Sequence, residues 1–130
     1  MKSINYLVLL AFAIGITVTS CKNDTLTPKE MLTAKSWKLV SNKVNGVESI
    51  EYCSKDDILT FAVNSTYSMI VGSIICNEGE KNYAGTWILS DDGKTIVVDS
   101  APASIAIAKS KLVVTVVDGS DSMEKTLIPE

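Results

Sequence analysis

The sequence of 130 residues contains no histidine and no arginine, so its basic residues are all lysines. Without histidine, the chain lacks the usual general base near neutral pH and the commonest metal ligand. Without arginine, it lacks the planar group that binds phosphate or carboxylate through two hydrogen bonds. These absences argue against an enzyme, and the sequence predicts neither a cofactor nor a metal ion.

The charged residues form no pattern that predicts a nucleic-acid partner or a catalytic site. The net charge is −3, and no basic stripe is present of the kind that binds nucleic acid. Two pairs of adjacent acids occur, Asp56-Asp57 and Asp91-Asp92. Adjacent residues on a strand point to opposite faces, so neither pair can converge on a substrate. Both pairs are typical of turns and strand starts, and neither has the spacing of an EF-hand calcium loop.

The sequence has one long hydrophobic run, and it lies at the N-terminus. Lys2 precedes an apolar stretch over residues 6–18, which gives way to small and polar residues. This is the pattern of a secretory signal peptide, and the run is shorter than the about 20 apolar residues that a membrane span needs. A buried helix is the alternative. We expect residues 1–20 to be a signal peptide.

Cysteine is scarce, and its odd count of three requires an explanation. The segment "VTSC" ends the hydrophobic run and resembles a bacterial lipobox, in which the cysteine is lipidated and becomes the mature N-terminus. We therefore predict lipidation of Cys21, and several acyl chains on one residue would anchor the protein stably in a membrane. Residues 21–31 are polar and would form a flexible tether. The alternative is an ordinary signal peptide that leaves Cys21 as a free thiol.

Cys53 and Cys76 are the remaining pair of cysteines. A secreted chain favours a disulfide between them, and closing this loop would stabilise the fold by about 3 kcal/mol in the chain-entropy model. A zinc site is the poorer alternative because there is no histidine and no pair of closely spaced cysteines. A redox pair would normally have the Cys-x-x-Cys spacing, which is absent.

Most of the remaining sequence predicts β-strands joined by short turns. Residues 28–37 are the exception: Thr27 as N-cap, Pro28 at the first helical position and Glu30 three residues after the cap predict one or two helical turns. Beyond them, β-branched and aromatic residues recur in short runs at near-regular spacing, which is typical of about eight strands in an antiparallel meander. Asn45-Gly46 predicts a hairpin, and Ala101-Pro102 is expected to interrupt two strands. The runs cover residues 36–44, 56–64, 65–76, 83–90, 95–100, 104–108, 111–118 and 123–128, and residues 47–52 form either a short return strand or a loop.

Several motifs in this order resemble the lipocalin-like domain lipoproteins of Bacteroidetes. They are the lipobox, "AKSWKL", "CSKDDILTF", a second cysteine, "AGTWIL" and "DDGKTI". The resemblance implies an all-β fold, a small antiparallel up-and-down β-barrel over residues 32–130, with Cys53 bonded to Cys76. It also implies a lipid-anchored protein of the bacterial cell envelope, in the outer membrane, with the periplasmic or surface face undecided. Two features depart from the wider lipocalin pattern: Lys35 replaces the first glycine of Gly-x-Trp, and no arginine exists to pack on Trp37.

An eight-stranded barrel leaves an interior wide enough for side chains or for one small ligand. We therefore expect a binding protein for a small apolar ligand. The alternative is a filled barrel that serves as a protein-interaction or inhibitor module of the envelope. On the exposed tether, "DTL" resembles an O-glycosylation acceptor with Thr25 as the modified residue. The residues expected to line the ligand site are Trp37, Leu59, Phe61, Tyr67, Met69 and Trp87.

Overall fold

One short helix and nine strands follow one another in the structure, a computed structural model that describes residues 25–130. The predicted signal peptide and Cys21 lie outside the described residues. Within residues 25–130, no helix is long and apolar enough to cross a bilayer. The elements are α1 (Pro28–Thr33), β1 (Ser36–Val44), β2 (Val47–Glu48), a 3-10 helix (Tyr52–Asp56), β3 (Ile58–Phe61), β4 (Thr66–Ile70), β5 (Tyr83–Leu89), β6 (Thr95–Val98), β7 (Ala101–Ala108), β8 (Lys111–Asp118) and β9 (Asp121–Pro129).

The strands form one antiparallel sheet that closes on itself. Each strand from β3 to β9 pairs with the next along the chain, and β1 pairs with both β3 and β9. The result is an up-and-down barrel of eight strands, as the sequence predicts, while the two residues of β2 only extend the hairpin after β1. Because closure leaves no long free edge, the barrel avoids the edge pairing that open sheets risk.

The two ends of the barrel differ. At one end, here called the closed end, lie α1 and the turns at residues 62–65, 90–94 and 109–110. At the other end, here called the mouth, lie the 3-10 helix, the loop of residues 71–82 and the turns at 45–46, 99–100 and 119–120. The fully buried side chains cluster toward the closed end, and they include Leu32 of α1 together with Trp37 and Trp87.

The helix α1 forms as its capping residues predict. The Thr27 hydroxyl accepts from the Glu30 amide, and the Glu30 carboxylate accepts from the Thr27 amide. The two bonds of this capping box satisfy donors that helix formation leaves free. Helical structure therefore begins at Pro28, inside the range 21–31 predicted as tether. Gly93, at a positive φ of 69°, has no side chain and so lets the Pro28 ring pack directly against the closed end.

Several predicted strand boundaries differ from the structure. The strand predicted to start at residue 56 starts at Ile58, and the strand predicted to reach residue 76 ends at Ile70. The predicted interruption at Ala101-Pro102 is wrong, because both residues belong to β7 and the chain turns instead at Asp99 and Ser100. Proline is tolerated at this place since the β7–β8 ladder begins only at Ser104, so no ladder bond there needs its missing N–H.

Candidate functional site

The candidate site is the lumen of the barrel, which contains a cavity of about 360 Å³. This volume is at the small end of the range for ligand pockets, about 300–1,000 Å³. Apolar and aromatic side chains make up most of the wall, and four polar or charged residues complete it. The wall consists of Leu39, Leu59, Phe61, Tyr67, Met69, Val71, Tyr83, Ile96, Val98, Val114 and Leu127, with Ser54, Asp57, Glu80 and Lys125.

Four of the six residues that the sequence places in a ligand site lie on this wall, namely Leu59, Phe61, Tyr67 and Met69. Alternation on β3 and β4 puts them all on the inner face, where Leu59 pairs with Met69 and Phe61 with Tyr67. Their contact with a ligand stays a prediction. They do form an apolar surface to which a ligand has access.

Trp37 and Trp87 also point inward, but they lie deeper and do not line the cavity. Both indole rings are almost completely buried. The Trp37 Nε1 donates to the Leu32 carbonyl at 2.9 Å, and the Trp87 Nε1 donates to the Thr66 carbonyl at 2.9 Å. Phe61 packs edge-on against Trp87, with ring centroids 5.6 Å apart. The two tryptophans thus form the floor beneath the lumen.

Lys35 occupies the position where the wider lipocalin pattern has glycine, and it contacts Trp37. Its ammonium lies 5.6 Å from the centre of the indole ring and donates to the Lys109 carbonyl in the turn after β7. A cation over an indole face is attracted by the ring quadrupole. In this chain, the lysine just before the first strand therefore supplies the cation that packs on Trp37.

One wall of the lumen, formed by β1, β9 and β8, has its inward side chains in three rungs. The lower and upper rungs are apolar, whereas the middle rung carries an amide and an ammonium. Lys125 therefore has Leu127 below it, Met123 above it and Val114 beside it on β8. From the closed end to the mouth, the rungs are Leu39, Leu127 and Leu112; Asn42, Lys125 and Val114; and Val44, Met123 and Val116.

The mouth loop of residues 71–82 is held against the start of β3. The disulfide predicted between Cys53 and Cys76 is present, with Cα atoms 5.2 Å apart. Asp57 accepts from the Gly72 amide at 3.0 Å, and Asp56 accepts from the Ile74 amide at 3.1 Å. The paired acids Asp56 and Asp57 therefore hold the mouth loop in place.

Hydrogen bonding also shifts the pKa of Asp56. Burial would raise this pKa, but bonds from Ile74 and Ser73 outweigh the effect and lower it. The Glu80 carboxylate accepts from the Cys76 amide at 2.6 Å and so closes the loop from its other side. Both acids of the lumen wall, Asp57 and Glu80, thus accept hydrogen bonds from the backbone of the mouth loop.

A polar cluster lies at the turn between β6 and β7, where the barrel wall is short because β6 has only four residues. The Tyr67 hydroxyl donates to the Asp99 carboxylate, which also accepts from the Thr86 amide at 2.9 Å. Gly85 makes this arrangement possible, because a Cβ at that position would collide with the Asp99 carboxylate. The hydrogen bond from Tyr67 lowers the pKa of Asp99. Burial, followed by the bond to Asp99, raises the pKa of Tyr67 to about 12.

Tyr83 stands at the mouth with about half of its surface exposed. Partial burial raises its pKa, and the negative charges of Asp57, Asp99 and Glu80 raise it further. Its ring meets that of Tyr67 edge-on at 6.2 Å. This side of the mouth is therefore aromatic and negatively charged, and it faces the wall that carries Lys125.

One group of candidate metal-ligating side chains occurs in residues 25–130. It consists of Glu51, Cys53 and Cys76. Both sulfurs are joined in the disulfide, so neither is available as the thiolate that a metal would require. The residues present do not fit a metal ion while the disulfide is intact.

Lys125 lines the cavity, and the sequence analysis does not predict this position for it. The segment "MEKTLI" mixes polar and apolar residues on both faces, so alternation alone does not tell which face is inside. Only its pairing with Val114 on β8 and Asn42 on β1 puts Lys125 inside the lumen. Thr25, the residue predicted to carry a sugar, is exposed.

Comparison with known proteins supports the fold and gives no function. No family model matches the chain, and no curated protein matches it. Among solved structures, a DUF4847 family protein from Bacteroides vulgatus is similar, with a TM-score of 0.57 and 9% sequence identity. The alignment covers 78% of this chain and 96% of that chain. At this identity the similarity concerns the fold alone, which is a small closed antiparallel β-barrel.

Proposed function

We propose that this protein is a membrane-anchored lipoprotein whose lipocalin-like barrel binds a small apolar ligand. The observation that carries the proposal is the lumen cavity of about 360 Å³, lined mostly by apolar and aromatic side chains. A barrel that served only as a scaffold would be expected to fill this space, because protein interiors pack as densely as organic crystals. The protein would act by binding alone, with no catalytic step.

The fixed structure of the lumen also supports this proposal. The floor is rigid, since Trp37 and Trp87 are each fixed by a hydrogen bond to a backbone carbonyl. The mouth is held by the disulfide and by Asp56 and Asp57. A preformed pocket lowers the entropic cost of binding because the site does not have to be ordered by the ligand.

Binding can be tested with a substitution that fills the lumen. Val114 lines the cavity, and Val113, the preceding residue on β8, points to the outer face. The mature chain with Cys21→Ser needs no detergent, so it can be titrated with the fluorescent apolar probe N-phenylnaphthylamine. We expect the probe to bind to this chain and to its Val113→Phe variant, and to lose affinity in the Val114→Phe variant. Equal binding by both phenylalanine variants would contradict a site in the lumen.

The membrane anchor is a separate part of the proposal and rests on the lipobox ending at Cys21. Lipidation there would place the barrel at the surface of a bilayer, and the family resemblance supports the outer membrane. In cells of the native host, Cys21→Ser should move the protein from the membrane fraction to the soluble fraction. Retention of this variant in the membrane would contradict the anchor without affecting the proposal for the lumen.

A second candidate function is a protein-interaction or inhibitor module of the envelope, and the exposed apolar side chains around the mouth favour it. Tyr52 is 72% exposed, Val117 is 70% exposed and Val47 is 66% exposed. Exposed apolar surface of this kind is commonly found at interaction sites. Cross-linking on intact cells tests the idea: a partner lost from a Tyr52→Ser, Val117→Ser variant supports it. If the variant still cross-links to the same partner, or if the parent cross-links to no partner, the exposed side chains around the mouth are not an interface.

A further inference from the structure

Lys125 is the one lysine among the described residues that line the cavity. Its neighbours on the inner face of β9 are Met123 and Leu127, and its partner on β8 is Val114. Its side chain lines the cavity and is exposed, so its charge does not require a partner within the protein.

The other charged groups of the lumen wall have structural partners. Asp57 accepts from Gly72, and Glu80 accepts from Cys76. By contrast, within residues 25–130 the only lysine ammonium that donates a hydrogen bond is that of Lys35. The acids are thus engaged in holding the mouth loop, and Lys125 is the charged group of the wall whose bonding capacity is free.

A second polar group beside Lys125 is incompletely satisfied. Asn42 lies directly across the β1–β9 ladder from Lys125, in the same rung. Its Oδ1 is buried and has no hydrogen-bond partner among the described residues. Buried polar atoms nearly always have a partner. The other buried atom without a partner within residues 25–130 is Asp56 Oδ1, which lies outside this wall, so the unsatisfied atom of the wall formed by β1, β9 and β8 is in the rung of Lys125.

We propose that the ligand of the lumen is a small amphiphile with one apolar chain and an anionic head, and that Lys125 binds the head. This inference rests on the proposed function and names the chemical class of its ligand. The ammonium would form charge-assisted hydrogen bonds with a carboxylate, the strongest class of neutral-pH hydrogen bond available to this wall. The apolar chain would contact the lower rung, Leu39 and Leu127, together with Phe61 and Ile96 deeper in the cavity.

Decanoic acid and decanol are suitable probes because they share one chain and differ in the head. Calorimetric titration at neutral pH of the mature chain carrying Cys21→Ser should show tighter binding of decanoate than of decanol, by about tenfold, as expected for a hydrogen bond to a charged group. Lys125→Met should abolish this preference and leave the affinity for decanol unchanged. Lys125→Arg should retain the preference because it keeps the charge.

Lys111→Met is the matched control, since Lys111 is exposed on the same barrel, and it should bind as the parent does. Equal binding of decanoate and decanol by the parent would overturn the role of Lys125 and leave the apolar lumen standing. Persistence of the preference in Lys125→Met would also overturn it. Failure of both probes to bind, with N-phenylnaphthylamine bound, would overturn the amphiphile, whereas failure of all three would overturn the proposed function itself.

Discussion

The indole Nε1 of Trp37 donates a hydrogen bond of 2.9 Å to the backbone carbonyl of Leu32. This bond joins the first strand of the barrel to the helix that covers its closed end. Both residues have no exposed surface. The last turn of α1 and the floor of the lumen therefore pack as one buried unit. This unit bounds the cavity from below.

Replacing Trp37 with Phe removes the donor and leaves the Leu32 carbonyl buried without a partner. The expected cost is about 1–3 kcal/mol for the unsatisfied group, with an additional contribution from the smaller ring. Urea unfolding should show a lower midpoint with an unchanged slope. Ile88→Val, at a strand residue that is 67% exposed, is the control and should stay within about 0.5 kcal/mol. A similarly small change for Trp37→Phe would contradict the role of the bond.

Removing the disulfide should destabilise the barrel and loosen the mouth. The bond closes a segment with a sequence separation of 23 residues, for which the chain-entropy model gives about 3 kcal/mol. The double variant Cys53→Ser, Cys76→Ser should therefore unfold at a lower urea concentration than the parent. Hydrogen exchange should increase in residues 71–82 and stay low in β8 and β9. Uniformly increased exchange would show that the bond stabilises the whole barrel and has no local effect on the mouth.

Gly85 and Asp99 should behave as a coupled pair. Gly85→Ala would force the Asp99 carboxylate away from Tyr67 and Thr86, with an expected cost of about 1–3 kcal/mol. In an Asp99→Ala background the same substitution meets no carboxylate, so it should cost much less. A double-mutant cycle measures the difference. Additive effects would show that the two residues do not interact in the folded protein.

The hydrogen bond between Tyr67 and Asp99 predicts how stability depends on pH. Tyr67 holds its proton more tightly when folded, with a pKa of about 12 against about 10 in an unfolded chain. Its contribution is therefore complete below about pH 10 and is lost as the pH rises toward 12. Asp99 has a lowered pKa when folded, so its contribution is present above about pH 4 and is lost as the pH falls.

An alkaline titration, monitored by the absorbance of tyrosinate, tests the high-pH part of this prediction. The parent should show a late ionisation that is missing in Tyr67→Phe, while Tyr83, whose pKa is also raised, contributes to the curves of both proteins. The stability of the variant should also fall less between pH 10 and 12 than that of the parent. Superimposable titration curves would contradict the assignment of the late step to Tyr67.

The sequence predicts the strands well where local signals are complete. The bounds of β1 and β8 agree with the predicted ranges 36–44 and 111–118, because clear turn residues flank both strands. The capping residues Thr27 and Glu30 likewise predict α1. These signals depend on neighbours in the chain alone, so no knowledge of the tertiary structure is needed to interpret them.

Features that depend on distant residues are not predictable in this way. The apolar segment "VGSIIC" suggests a continuing strand, yet the chain leaves the sheet after Ile70 because Asp56 and Asp57 bind its backbone. Alternation predicts correctly that Trp37 and Trp87 point inward. It does not give their depth along the barrel axis, so their position below the cavity and the position of Lys125 beside it follow only from the closed sheet.

The central claim is that the lumen holds a small apolar or amphiphilic molecule. Native mass spectrometry of the protein purified from its own membrane tests it most directly. We predict one small molecule bound per chain, released on denaturation and absent from a Val114→Phe variant purified in the same way. A bare parent protein, or an adduct that survives in Val114→Phe, would contradict the claim.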